Sequence, residues 1–414
     1  MLTRRSLLRA SLAVPPALWA RRLGASDLPF ERKFLFFYAD GGWDATAAFD
    51  PHFESDAVSM EQDSEEGVIG GITYTAGPAR AQLTRFLERW GSRTCFVNGL
   101  DAHTVGHGSA KEFTLTGAGG AATPDWATIL ASTSRREYAM PFVVLSGPAF
   151  PGGRGEVMVR ASAGTLMALM DHSLVGSADV ETGPFQPPTD RLVDFWLAER
   201  GAAWADAQPG GVGAARARAW QDGHSRLSAL DERVLEVAFD TNSMDMATQA
   251  RNAIELFRLD LSRCAMISIE GFWDTHTNNQ PQGEQIDDFF GVLDDVVETL
   301  ARTPGTVAPT LLQEVTIVAL SDFGRTPGEN ADTGKDHWPY GSAVLVGSGV
   351  RGDQRVGYTN GSLISQPIDL DSGAPSSGGD LPGVENLGAA LLLLGGLDPE
   401  PWLPEVQPLA AVIR

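Results

Sequence analysis

Residues 33–44 read Lys-Phe-Leu-Phe-Phe-Tyr-Ala-Asp-Gly-Gly-Trp-Asp. Positions 34–39 are an unbroken apolar run that stops at Asp40-Gly41-Gly42. A continuous run, unlike an alternating one, predicts a strand buried on both faces. The glycine pair predicts a sharp turn behind it. The pattern recurs at 94–97 before Asn98-Gly99, at 141–145, at 265–269 before Glu270-Gly271, at 315–320 before Ser321-Asp322, and at 342–346 before Gly347. Helical spacing occupies 79–90, 109–116, 126–134, 286–302 and 386–394. Strands alternating with helices predict an α/β fold: a mostly parallel sheet with helices on both faces. In such sheets ligands bind beyond the carboxyl ends of the strands.

Residues 146–189 are rich in Gly, Pro and Ser and are predicted to be irregular, as is the low-complexity stretch 369–383. Residues 190–263 carry helical spacing, broken near 210–213 and near 241, and predict a helical insertion or lid. The expected organisation is one α/β domain over 30–414 with a helical insertion at about 190–263.

Residues 1–25 fall outside that domain. Arg4-Arg5 is followed by Ser6-Leu7-Leu8-Arg9 and a weakly apolar stretch, 10–20. This pattern fits a twin-arginine export signal, so the expected destination is periplasmic or secreted, by way of the export machinery. Cleavage near Ala20 or Ala25 would leave a more acidic chain; removing residues 1–25 drops five Arg and no acid, taking the net charge from −22 to −27.

The composition narrows the partners. With 43% apolar and 20% charged residues the 414-residue chain is globular in type. No apolar run reaches the roughly 20 residues of a membrane helix, so no span is expected in the mature chain. An acidic surface argues against nucleic acid, whose phosphates are held by Lys and Arg. A small anionic ester is compatible with it, because a metal and one local Arg can hold such a group. Oligomeric state is left open. Cys95 and Cys264 each lie in an apolar strand-like stretch and are expected as buried free thiols.

Acids and histidines collect where the strand-end rule wants them. Asp40 and Asp44 follow the first strand, Asp274 and His276 the 265–269 strand, and Asp322 the 315–320 strand. His337 precedes the 342–346 strand, and His103 and His107 follow the second strand. Carboxylate oxygen and imidazole nitrogen together suit a divalent metal such as zinc, manganese or calcium, as one or two ions. Asp44 could bind metal or cap a turn. His52, His172 and His224 read as surface or packing residues, and His103 as a loop residue. Arg325, just behind Asp322, is suited to gripping a phosphate or sulfate.

Three stretches carry a family resemblance: 270–276 (Glu-Gly-Phe-Trp-Asp-Thr-His), 321–327 (Ser-Asp-Phe-Gly-Arg-Thr-Pro) and 334–339 (Gly-Lys-Asp-His-Trp-Pro). They resemble the signature stretches of the domain-of-unknown-function 1501 family, itself similar in fold to the alkaline phosphatase and sulfatase superfamily. The resemblance implies an alkaline-phosphatase-like sheet. It implies Asp40 as a first metal ligand, with Asp44 the nearer match to the unknown-function family. Leu115-Thr116-Gly117 resembles the end of the superfamily's nucleophile helix, and counting back nine from Thr116 reaches His107, as nucleophile or further ligand. Ser109 is the alternative nucleophile. Phe323 stands where the superfamily has a second His ligand. The expected function is therefore an exported metal-dependent hydrolase of phosphate or sulfate esters. The expected metal ligands are Asp40, Asp44, Asp274, His276, Asp322 and His337, with His107, Ser109 and Arg325 as catalytic candidates. The alternative is an exported binding or assembly protein that keeps the fold and part of the metal site without turnover.

Overall fold

The computed structural model describes residues 30–120, 122–170, 187–208, 210–231 and 238–414. The expected leader and His172 lie outside the described residues. Eight strands form one sheet: β1 Lys33–Ala39, β2 Thr94–Asp101, β3 Phe142–Val144, β4 Met158–Arg160, β5 Cys264–Ser268, β6 Val315–Ser321, β7 Tyr340–Gly347 and β8 Gln354–Val356. Their order is β8-β2-β7-β6-β1-β5-β3-β4. The strand that opens the chain's apolar pattern sits at the centre, parallel to β5 on one side and β6 on the other. The sheet is mostly parallel, as expected; β7 runs against both β2 and β6.

The burial of β1 explains its composition. Phe34, Phe36 and Tyr38 enter one core with Val97, Leu130, Val318 and Leu391. Leu35, Phe37 and Ala39 enter the other with Phe96, Phe289 and Ile317. Both faces are covered, so both parities of the strand must be apolar; each large side chain stabilises by about 1.5–3 kcal/mol.

The helices among the described residues are α1 Ala81–Trp90, α2 His107–Thr116, α3 Trp126–Ser132, α4 Ala163–Met170, α5 Pro187–Asp206, α6 Gly211–Asp231, α7 Met246–Arg258, α8 Pro281–Arg302 and α9 Val384–Leu394. Their starts follow local chemistry. Asp125 caps α3 by accepting from the Thr128 amide at 2.7 Å, and Asp245 caps α7 through the Thr248 amide at 2.7 Å. No helix among the described residues is long and apolar enough to cross a membrane.

Three expectations change. Residues 146–189, expected to be irregular, contain β4 and α4. The helical block 190–263 divides into α5, α6 and α7, and its last helix is a core element. Ala250, Ala253, Leu256 and Phe257 of α7 are buried beneath the sheet, and β5 begins at Cys264. The third is a hairpin, Glu65–Ile69 with Ile72–Ala76, which the sequence did not predict. Its first strand is largely exposed and begins with two glutamates, so no apolar run marks it.

Asp44 belongs to this framework. It is buried and caps the short turn Ala45–Ala47, accepting from the Thr46 amide at 3.0 Å. Its carboxylate also accepts from Asn279 at 2.7 Å and pairs with Lys335 Nζ at 2.7 Å. Between the two roles the sequence allowed, the structure gives it the cap and an ion pair, and does not place it among metal-type groups. Burial acts to raise its pKa, but Lys335 and the hydrogen bonds from Thr46 and Asn279 outweigh burial and lower it.

Two predictions follow from these environments. Asp44→Ala leaves the buried Lys335 ammonium without its partner and should cost about 3–5 kcal/mol in denaturant unfolding. Because the folded pKa of Asp44 is depressed, its contribution should be present above the ordinary carboxylate pKa and lost as the pH falls through the lower folded value. Cys95 and Cys264 are free and fully buried. Burial pushes the Cys95 thiol up to about 12 and raises Cys264 as well. Neither should react with a thiol reagent until the protein is unfolded, when two equivalents should be titrated.

Candidate metal centre

The parallel strands β1, β2, β5 and β6 end at one edge of the sheet. Because β7 is antiparallel, it begins at that same edge: Tyr340 is opposite Asp101, the last residue of β2. His337, just before β7, thereby joins the residues that follow the parallel strands.

Glycine lets the loops come close enough. Gly41 has φ +134°, and a Cβ there would lie 2.8 Å from the Asp274 amide nitrogen. A Cβ on Gly334 would lie 2.0 Å from the His276 carbonyl oxygen. Any side chain at either position would drive apart the loops that carry the site.

Four groups then face one another. Asp274 Oδ1 lies 3.1 Å from His337 Nε2 and 3.2 Å from His276 Nε2, and Asp274 Oδ2 lies 3.4 Å from His107 Nε2. The Nε2 atoms of His276 and His337 are 2.9 Å apart. His107 Nε2 is buried and has no hydrogen-bond partner.

The opposite nitrogens decide the protonation. His107 Nδ1 lies 2.6 Å from Asp322 Oδ2, His276 Nδ1 2.8 Å from Asp336 Oδ1, and His337 Nδ1 2.7 Å from the Val105 carbonyl oxygen. Each partner accepts, so each Nδ1 carries the hydrogen and donates it. Each ring then turns its Nε2 toward Asp274. Three imidazole nitrogens and a carboxylate converge, a donor set that suits a cation. Zinc bonds of about 2.0–2.1 Å in a tetrahedron place donor atoms roughly 3.3 Å apart, and the contacts above bracket that spacing. The anchoring of each imidazole by an acceptor on its far nitrogen is the usual support of a metal-binding histidine.

The surrounding charges fit this picture. Burial acts to raise the pKa of Asp274, yet hydrogen bonds from Arg325 and His337 and the nearby charges lower it to about 2. The hydrogen bond to Asp322 raises the pKa of His107, against the opposing effect of burial. Asp322 is fully buried and also accepts from the Gly41 amide at 3.1 Å.

Several expected roles shift. Asp322 Oδ2 holds His107 Nδ1 at 2.6 Å, and Asp322, Asp40 and His107 form a second group whose ligand-type atoms lie within 4.8 Å of one another. Asp40 is half-exposed and ion-paired with Lys111 at 2.6 Å; one of its oxygens lies within 4.8 Å of ligand-type atoms on His107 and Asp322. Ser109 is exposed in the first turn of α2. Arg325 is not poised for an anion. It is buried, donates to the carbonyls of Gly41, Gly42 (2.8 Å), Trp273 (2.8 Å) and Lys335 (3.0 Å), and pairs with Asp274 at 2.8 Å. Phe323 is buried with its ring centroid 4.8 Å from that of His107 and 4.4 Å from that of His337, so it packs the ligands from behind.

Sequence reading missed Asp336 and the Val105 carbonyl as anchors, and Lys111. Lys111 had a readable signal, since it lies four residues after His107 and so on the same helix face.

No curated protein matches the chain. Among solved structures, similarity extends to a protein of the alkaline phosphatase superfamily from Vibrio parahaemolyticus, with 8% identity, 89% of this chain and 68% of that chain covered, and a TM-score of 0.34. A sulfatase from Pseudoalteromonas sp. shares 10% identity over 96% of this chain and 75% of its own, with a TM-score of 0.39. The integral membrane lipooligosaccharide phosphoethanolamine transferase A from Neisseria meningitidis shares 10% identity over 93% and 59%, with a TM-score of 0.36. Residues 216–366, which contain all three signature stretches, match the family described as protein of unknown function, DUF1501.

Proposed function

We propose that this chain is an exported, metal-dependent hydrolase of phosphate or sulfate esters, with His107, His276, His337 and Asp274 as its metal ligands. The observation that carries the reading is the convergence of three Nε2 atoms on one carboxylate. A divalent ion held there supplies Lewis-acid polarisation and activates water, the chemistry that ester hydrolysis needs. The chain's own part is to hold the four donors and fix their orientation through Asp322, Asp336 and the Val105 carbonyl. His107 acts as a ligand in this reading and not as the nucleophile, because the lone pair that would attack is the one directed at Asp274. Export rests on the arginine pair at 4–5 and the stretch behind it.

A second reading has its own observation. With His276 added to His107, Asp274 and His337 the site would hold four protein donors, and closed four-ligand sites are commonly structural, whereas catalytic ones keep a position open. An exported binding or assembly protein with the same centre would bind metal without turnover.

Metal analysis of the purified mature protein, joined to a panel of phosphomonoesters, phosphodiesters and sulfate esters, separates these outcomes. The expected result is one tightly held ion per chain and ester cleavage that a chelator abolishes and metal restores. Metal without cleavage of any ester would favour the second reading, and no metal uptake would sink both. His107→Ala should lose the metal; retained metal with lost turnover would return His107 to the nucleophile role. Asp336→Ala should weaken metal affinity by about 10–100-fold through the loosened His276 ring. Affinity should also fall as the pH drops through the raised pKa of His107, because the ligand must give up a proton to bind.

A further inference from the structure

We infer that Lys111 is the residue that holds the anionic oxygens of the ester, and that Asp40 occupies it in the ligand-free protein. The inference rests on the hydrolase reading above and names the substrate-binding cation that Arg325 does not provide.

A phosphate or sulfate ester needs a positive side chain within reach of the centre, free to change partners. Arg325 fails on both counts: it is buried, every one of its nitrogens donates within the fold, and its charge is matched by Asp274. Lys335 is buried as well and committed to Asp44 at 2.7 Å. Lys111 differs. It stands one helical turn beyond His107 on α2, with a quarter of its side chain exposed. Its partner is Asp40, whose side chain is 50% exposed, with Nζ 2.6 Å from Oδ1 and 2.7 Å from Oδ2. Asp40 in turn lies within 4.8 Å of His107 and Asp322, so the ammonium is one ion-pair contact from the centre.

A partly exposed pair of this kind is only weakly held, so an incoming ester anion can displace the carboxylate at little cost. The ammonium then meets the ester oxygens by a charge-assisted hydrogen bond, and Asp40 turns to solvent. No bond is made or broken in the exchange. Asp40, expected from the sequence as a metal ligand, becomes a competitor of the substrate.

The test is titration of the zinc-loaded mature protein with inorganic phosphate and with sulfate by calorimetry, alongside zinc content. Lys111→Gln should keep its zinc and bind phosphate about 10- to 100-fold more weakly, the usual worth of a charge-assisted hydrogen bond. Lys111→Arg should restore most of the affinity, which guards against a folding defect. Asp40→Asn should keep its zinc and bind phosphate about 2- to 5-fold more tightly, by freeing the ammonium. Unchanged phosphate affinity in Lys111→Gln would overturn the inference while leaving the metal centre intact; zinc loss in Asp40→Asn would overturn it by making Asp40 a ligand. A wild-type protein that takes up no zinc would remove the hydrolase reading. Phosphate binding that still depends on Lys111 in that protein would preserve the inference, and its absence would end it.

Discussion

The site depends on one buried guanidinium. Arg325 leaves the end of β6 and donates to the loop after β1 through Gly41 and Gly42, to the loop after β5 through Trp273, and to the loop before β7 through the Lys335 carbonyl. Three loops that would otherwise expose unpaired carbonyls are fastened to a fourth. A buried charge is costly unless it is paired and hydrogen-bonded, and here Asp274 supplies the pair. The same contact holds Asp274 where the imidazoles meet it. One residue thus fixes the loop geometry and orients a candidate ligand, and that work consumes the hydrogen bonds it would need to grip a substrate.

The rest of the centre is arranged on the same economy of donors. A histidine ring has two nitrogens, and the chain anchors one of each pair to an acceptor. Two of those acceptors are carboxylates and one is a carbonyl. The anchoring fixes the ring orientation and turns the other nitrogen toward Asp274. Phe323 contributes by packing against two of the rings, where an additional polar group would compete with the anchors. The site is thereby asymmetric: a well-anchored nitrogen cluster on one side of His107, and an exchangeable Lys111–Asp40 pair on the other.

Much of the fold was legible because burial on both faces demands continuous apolar strands, and β1, β5 and β6 are such strands. The hairpin at 65–76 escaped because an exposed strand carries no such mark. Helix α7 was readable as a helix but not as a core element, because periodicity shows which face is apolar and not what covers it.

The sequence by itself determined that Asp and His residues lie at strand ends, and therefore that a site would form at one edge of a largely parallel sheet. It could not separate the acids from one another. Asp44 and Asp274 both follow glycine-bearing turns just after central strands, yet one is sealed in an ion pair with Lys335 and the other faces three imidazoles. Asp322 and His107 are 215 residues apart in sequence and 2.6 Å apart in space. Only the tertiary structure decided these assignments, since a carboxylate's role is set by which cation or donor reaches it, and that depends on strand order, on the reversed direction of β7 and on the loops that Arg325 ties together.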